Sequence, residues 1–110
     1  MILYGLKNCD TCRKALKALE NIGADIVFRD VRADGVPTET MSRAYEAFGE
    51  KLLNTRSTTW RGLSAQEREK APLVLIDEHP ALMKRPLIEA GDSLYLGWDK
   101  AVQGTLLKEG

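Results

Sequence analysis

The chain has 110 residues, 44% of them hydrophobic, which suits one domain with a single modest core. Its 16 basic and 16 acidic residues cancel to a formal net charge of zero, so overall charge gives no argument for direct binding to nucleic acid or to a membrane surface. No apolar run approaches the roughly 20 residues that span a bilayer, and the N-terminus lacks a signal pattern; a cytoplasmic monomer is expected.

Met1 to Tyr4 reads as a short apolar strand, followed by a helix whose Ala15, Leu16, Leu19 and Ile22 recur at helical spacing. Between them fall the two cysteines of the chain, Cys9 and Cys12. Cys9 lies at or just before the first helical turn, where backbone N–H groups lack partners and the helix dipole is positive. A thiolate is stabilised there, so the pKa of Cys9 is expected below the free-thiol value of about 8.5. Lys7, Arg13 and Lys14 add positive potential. Cys12 lies one turn further on, close enough for an i, i+3 disulfide; Cys9 should face solvent while Cys12 leans toward the apolar stripe. Gly23 is the expected left-handed residue past the helix end. Asp25 to Asp30 alternates as a strand does. A strand-helix-strand crossover predicts parallel strands, with Cys9 at the C-terminal end of the first.

Arg32 to Pro37 is a turn region. Thr38-Glu39-Thr40-Met41 opens a second helix with Thr38 as the expected N-cap, Met41, Ala44, Tyr45 and Phe48 as its apolar face and Gly49 as its stop. The polar run Asn54-Thr55-Arg56-Ser57-Thr58-Thr59 reads as a loop with several side chains able to bind an anion. Ser64-Ala65-Gln66-Glu67 has capping-box spacing and opens a short helix to about Lys70. Leu73 to Glu78 is too short for periodicity to choose between strand and helix. Leu87-Ile88-Glu89 and Leu94-Tyr95-Leu96 read as strands joined by a hairpin at Ala90-Gly91-Asp92-Ser93. A last helix after Gly97-Trp98-Asp99 should turn Ala101, Val102, Thr105 and Leu106 to the sheet.

The order β-α-β, a helical insertion over about residues 38–80, then β-β-α predicts a single α/β domain over residues 1–110, a thioredoxin-like mixed sheet. In that arrangement the strand after the insertion begins with a proline beside the cysteine pair, a place Pro86 holds in the order of elements. Cysteines at C-x-x-C spacing in a reducing compartment suit a redox or metal pair rather than a structural staple. A structural zinc site takes four ligands, which two cysteines and the distant His79 do not supply, so neither a metal nor a bound cofactor is expected. His79, followed by Pro80, fits a helix end. Thiol chemistry on an anion needs a thiolate and fixed cations beside it, and arginine's planar fork suits the second task.

Four blocks run through the chain in one order: Tyr4-Gly5-Leu6-Lys7-Asn8-Cys9-Asp10-Thr11, Leu52-Leu53-Asn54-Thr55-Arg56-Ser57-Thr58-Thr59-Trp60-Arg61, His79-Pro80 with Lys84-Arg85-Pro86-Leu87, and Leu96-Gly97-Trp98. In these the chain resembles the arsenate-reductase/Spx family, thioredoxin-like proteins with a helical insertion. The second block is most similar to a small bacterial subgroup described as glutathione-dependent thiol reductases. The resemblance implies that Cys9 is the reactive residue, that Arg85 reaches the site beside it, and that the Arg85–Pro86 bond is cis, which X-Pro bonds permit at small cost. It further implies reduction of a disulfide or oxyanion, with glutathione as co-substrate or a glutaredoxin- or thioredoxin-type protein as electron donor. Arg56, Arg13, Lys7 and Asn8 are then candidates for binding the anion or glutathione. Cys12 either resolves the Cys9 intermediate or belongs to the core, in which case an external thiol must resolve it. Leu6-Lys7-Asn8 stands where arsenate reductases carry His-Asn-Pro, which argues against arsenate as substrate. The alternative is an Spx-type redox switch that binds RNA polymerase, with which the chain shares Cys-x-x-Cys-Arg-Lys, Asn-Thr-Arg-Ser and an Arg-Pro.

Overall fold

The computed structural model describes residues 1–107. In chain order the elements are β1 (Ile2–Gly5), α1 (Asp10–Asn21), β2 (Val27–Asp30), α2 (Thr38–Phe48), α3 (Thr58–Arg61), α4 (Ala65–Arg68), α5 (Pro72–Glu78), β3 (Leu87–Ala90), β4 (Ser93–Leu96) and α6 (Lys100–Leu106), with 3₁₀ turns at Gly49–Leu52 and Pro80–Leu82. Contacts divide the described chain into two compact units, Gly35–Lys84 and the remainder.

The unit that contains both ends of the sheet has strand order β2-β1-β3-β4. β1 runs parallel to β2 with Leu3 opposite Phe28, and antiparallel to β3 with Leu3 opposite Ile88; β3 and β4 form an antiparallel hairpin. This is the thioredoxin-like arrangement. The helical period of α1 and the strand period of β1 and β3 meet in one buried cluster, Leu3, Cys12, Ala15, Leu19 and Ile88. Leu16, Phe28, Tyr95, Trp98, Leu106 and Leu107 pack against it, so α1 and the end of α6 cover the same face of the sheet. Helix α1 stops where Gly23 turns left-handed at φ 81°, its N–H returning to Glu20 O at 3.0 Å and that of Ala24 to Leu19 O at 3.1 Å. Ile22 lies past the last helical residue, and it is 41% exposed rather than part of the stripe. At the hairpin the chain turns over Gly91 and Asp92, with Gly91 at φ 60° in the first loop position, where type II′ turns take glycine.

Helix α6 is capped by Asp99, whose Oδ1 accepts from the Val102 N–H at 2.9 Å. Its inner face is set by Val102 and Leu106, four residues apart and half-buried with Gln103, so Ala101 and Thr105, expected on that face, lie one position round and are exposed.

The second unit is helical. Leu73 to Glu78, undecided between strand and helix, lies within α5, with Pro72 in its first turn, where a missing N–H costs nothing. In α2 the expected cap is displaced by one residue: Pro37 is the N-cap and Thr38 the first helical residue. The buried positions of α2 are Thr40 and Ala44, one turn apart, which leaves Tyr45 exposed rather than on the inner face. Gly49 ends α2 at φ 59°. The chain then folds back on itself: Leu53 bridges Met83, Asn54 N–H donates to Leu82 O at 2.8 Å and Lys84 N–H to Leu52 O at 2.7 Å.

The polar run 54–59 is not wholly loop, since Thr58 and Thr59 begin α3. Ser57 Oγ caps that helix by accepting from Trp60 N–H at 3.1 Å, and donates to Asn54 O at 2.8 Å. Asn54 Oδ1 accepts from Arg56 N–H at 3.2 Å. Two of the polar side chains that looked available for an anion are therefore engaged with local backbone. Arg68 Nη2 closes the other end of α3 by donating to the carbonyls of Trp60 and Arg61 at 3.1 and 3.2 Å, with its guanidinium 5.5 Å over the Trp60 ring. Among the described residues no helix is long and apolar enough to cross a membrane.

Leu19 is fully buried in the α1 cluster. Leu19→Ala is expected to lower unfolding stability by about 3 kcal/mol, within the range for cavity-forming core truncations, measured by urea denaturation.

Candidate active site at the start of helix α1

After β1 the chain makes one tight turn, Cys9 N–H to Leu6 O at 3.1 Å, and α1 begins at Asp10. Cys9 is the N-cap, with extended backbone (φ −95°, ψ 117°), and its carbonyl accepts from Arg13 N–H at 3.0 Å. No conventional side-chain cap closes this helix end. The backbone N–H of Cys12 nevertheless lies near enough to the Cys9 sulfur to favour its thiolate. The Cys12 thiol and the Arg85 guanidinium also hydrogen-bond to that sulfur.

Arg85 is held there by its neighbour. The Arg85–Pro86 peptide bond is cis, Pro86 is fully buried, and its carbonyl accepts from Gly97 N–H at 2.8 Å. The antiparallel pairing of β3 with β1, Tyr4 opposite Leu87, sets the start of β3 beside the end of β1, from which α1 follows.

The two thiols, three residues apart and both free, are driven in opposite directions. Partial burial opposes ionisation of Cys9, but the Cys12 N–H, the Cys12 thiol and the charge and hydrogen bond of Arg85 outweigh it and hold its pKa below the ordinary thiol value. Burial pushes Cys12 up to about 12, with the neighbouring Cys9 sulfur adding to the effect against the Leu6 N–H and Arg85. Cys9 is therefore the sulfur that ionises first, and Cys12 keeps its proton.

Cys9, Cys12, Arg85 and Pro86 come together in space. Cys9 is half-buried against the core cluster rather than fully turned to solvent, because an N-cap residue follows the helix surface down toward the sheet. Arg13 is paired with Asp10 on the exposed side of the first turn, and Lys7 is exposed with its charge near Asp30. Asn8 is exposed in the turn before Cys9. Arg56 belongs to the helical unit and is exposed there. Sequence reasoning missed Asp10, which the i, i+3 spacing to Arg13 could have revealed, and Gly5, for which strand propensity has no signal. Among the described residues no group of three or more His, Cys, Asp or Glu side chains could hold a metal ion.

A profile of the ArsC family matches residues 4–105. The chain belongs to the ArsC family. Among solved structures, an arsenate reductase (ArsC) related protein from Brucella melitensis is 34% identical, with a TM-score of 0.71 over 98% of this chain and 94% of that one. The protein YFFB (PA3664) superposes with a TM-score of 0.88 at 28% identity, over 97% of this chain and 98% of that one. The global transcriptional regulator Spx of Bacillus subtilis is 30% identical over 105 residues, which span 89% of this chain and 79% of the regulator. This ArsC-family chain thus has relatives named for reduction and relatives named for regulation.

The pH profile of Cys9 alkylation by iodoacetamide should have its midpoint below the ordinary thiol value, and Arg85→Gln should move that midpoint up, since it removes a charge and a hydrogen bond that favour the thiolate. Cys12 should leave a separate mark on stability. Its folded pKa lies above its unfolded one, so the unfolded chain gives up the proton first, and stability falls as pH rises from about 8.5 toward about 12. Urea midpoints measured across that window should show the alkaline loss in the wild type and a smaller one in Cys12→Ala.

Proposed function

We propose that the chain is a thiol-dependent reductase of the cytoplasm, with glutathione as its reducing co-substrate and a disulfide or oxyanion as its substrate. The observation that carries this reading is the half-buried Cys9 sulfur at the N-cap of α1, with the Arg85 guanidinium beside it. In the disulfide case the Cys9 thiolate attacks one sulfur of the substrate, forming a mixed disulfide and releasing the other sulfur as a thiolate. A glutathione thiolate then attacks the mixed disulfide, which frees Cys9 and leaves the oxidised half on glutathione. A glutaredoxin- or thioredoxin-type protein would serve as donor by the same exchange. Arg85 pairs with the anionic group of the incoming molecule and stabilises the thiolate that leaves. Arg13, Lys7 and Asn8, which share a unit with Cys9, are the further candidates for holding that anion, Arg13 only after parting from Asp10.

A second reading, a redox switch that binds RNA polymerase, is favoured by the relative named Spx and by two free thiols one helical turn apart. The two readings separate in one set of variants. Under the reductase reading Cys9→Ser abolishes glutathione-linked disulfide reduction, and Arg85→Ala lowers kcat/KM by roughly 10- to 100-fold, the size of one charge-assisted hydrogen bond. Cys12→Ser keeps most of the turnover. An active Cys9→Ser enzyme sinks this reading. Redox-dependent recovery of polymerase from cell extract, with no turnover in any coupled assay, moves the conclusion to the switch.

A further inference from the structure

Gly5 is the last residue of β1, and it is buried. Its backbone does not call for glycine: among the described residues the positive-φ glycines are Gly23, Gly35, Gly49, Gly91 and Gly97, and Gly5 is not one of them. Space is what calls for it. A β-carbon built on Gly5 would lie 2.5 Å from Cys12 Sγ, 3.2 Å from Cys12 Cβ and 3.2 Å from Leu3 Cδ2, well inside the roughly 3.5–4.0 Å at which non-bonded heavy atoms rest. Neither neighbour has room to give way, because Leu3 and Cys12 are both fully buried in the same cluster.

The Cys12 side chain therefore lies directly on the strand, in the room a missing methyl group leaves. From that seat it reaches two partners, the backbone N–H of Leu6 and the sulfur of Cys9. Cys9 is the N-cap and Cys12 the third helical residue, so one turn of helix puts both sulfurs on the same face, and the seat against β1 fixes where the second of them lies. We infer that Gly5 is a positioning residue of the thiol site: the space it leaves lets the Cys12 thiol settle against β1, where its S–H donates to the Cys9 sulfur.

The inference rests on Cys9 being the reactive thiolate, and it gives Cys12 a role apart from core filler and from resolving thiol. It is a protonated donor whose aim is set by the strand beneath it. A methyl group at position 5 must turn the Cys12 side chain away or lift the first turn of α1 off β1, and either change lengthens the contact between the sulfurs. Serine at position 12 is slightly smaller and keeps a donor. Alanine keeps none.

The test is the rate of Cys9 alkylation by iodoacetamide as a function of pH in the full chain, with the labelled residue identified by mass spectrometry and folding checked by Tm. The variants are Gly5→Ala, Cys12→Ser, Cys12→Ala and the double variant Gly5→Ala with Cys12→Ala. Cys12→Ala and Gly5→Ala should each move the midpoint up and slow alkylation on its acid side roughly tenfold, as expected for loss of one hydrogen bond to a charged group. Cys12→Ser should keep the wild-type midpoint, and Gly5→Ala should add nothing once Cys12 is alanine. An unchanged midpoint in Cys12→Ala, or an equal effect of Gly5→Ala with and without Cys12, overturns the inference. If Gly5→Ala does not fold, the double variant decides: folding restored when Cys12 is alanine beside it supports the space Gly5 leaves for that thiol, and failure of both to fold, or an unchanged midpoint in Cys12→Ala, overturns the inference. Alkylation needs no substrate, so an active Cys9→Ser enzyme would sink the reductase reading while leaving this result to stand by itself.

Discussion

A sulfur anion on a partly dry surface is costly unless donors are already pointed at it, and the first turn of α1 supplies them at the one position where helix geometry leaves amides unspent. The Cys9 sulfur receives a backbone N–H, a thiol and a guanidinium, and these come from two separate stretches of chain. The helix start contributes the first two. The third comes from the stretch that follows the helical unit in sequence, where Arg85 and Pro86 lead into β3. Because β1 pairs with β3 directly, Leu3 opposite Ile88 and Tyr4 opposite Leu87, the start of β3 is bound to fall beside the end of β1. The sheet register thus delivers the arginine.

The same geometry divides labour between two chemically identical side chains. Cys9 sits at the helix mouth, where burial is partial and donors converge; Cys12 sits one turn further in, on the strand, where burial dominates and the pKa goes up to about 12. Neither shift comes from the C-x-x-C spacing as such. They come from which residue is the N-cap and which is the third residue of the helix, and from how closely α1 can approach β1 over Gly5. A family that includes members named for arsenate reduction and members named for transcriptional regulation can share this frame, because what a low-pKa thiol does next depends on the partner that reaches it.

Much of the architecture was legible from residue patterns. The helical spacing of Ala15, Leu16 and Leu19, the stops at Gly23 and Gly49 and the turn at Gly91 are local signals, and each is used locally. Patterns misled where a helix had little apolar contrast or an unexpected start. Thr40 rather than Tyr45 is buried in α2, and in α6 Val102 and Leu106 turn inward and leave Ala101 and Thr105 exposed. Asn54 and Ser57 looked free for an anion because a sequence does not show that their side chains are closing turns and capping α3.

By itself the sequence determined the strand-helix-strand opening, the place of Cys9 at a strand-to-helix junction and the sign of the field that a helix start imposes, since all three depend on neighbours within a few residues. Tertiary structure alone decided that Arg85, 76 positions beyond Cys9 by number, stands within hydrogen-bond reach of its sulfur, and that Gly5 leaves room for the Cys12 thiol beneath α1. Both are contacts between surfaces that meet only after strands pair, and pairing register is a property of the sheet rather than of any single strand.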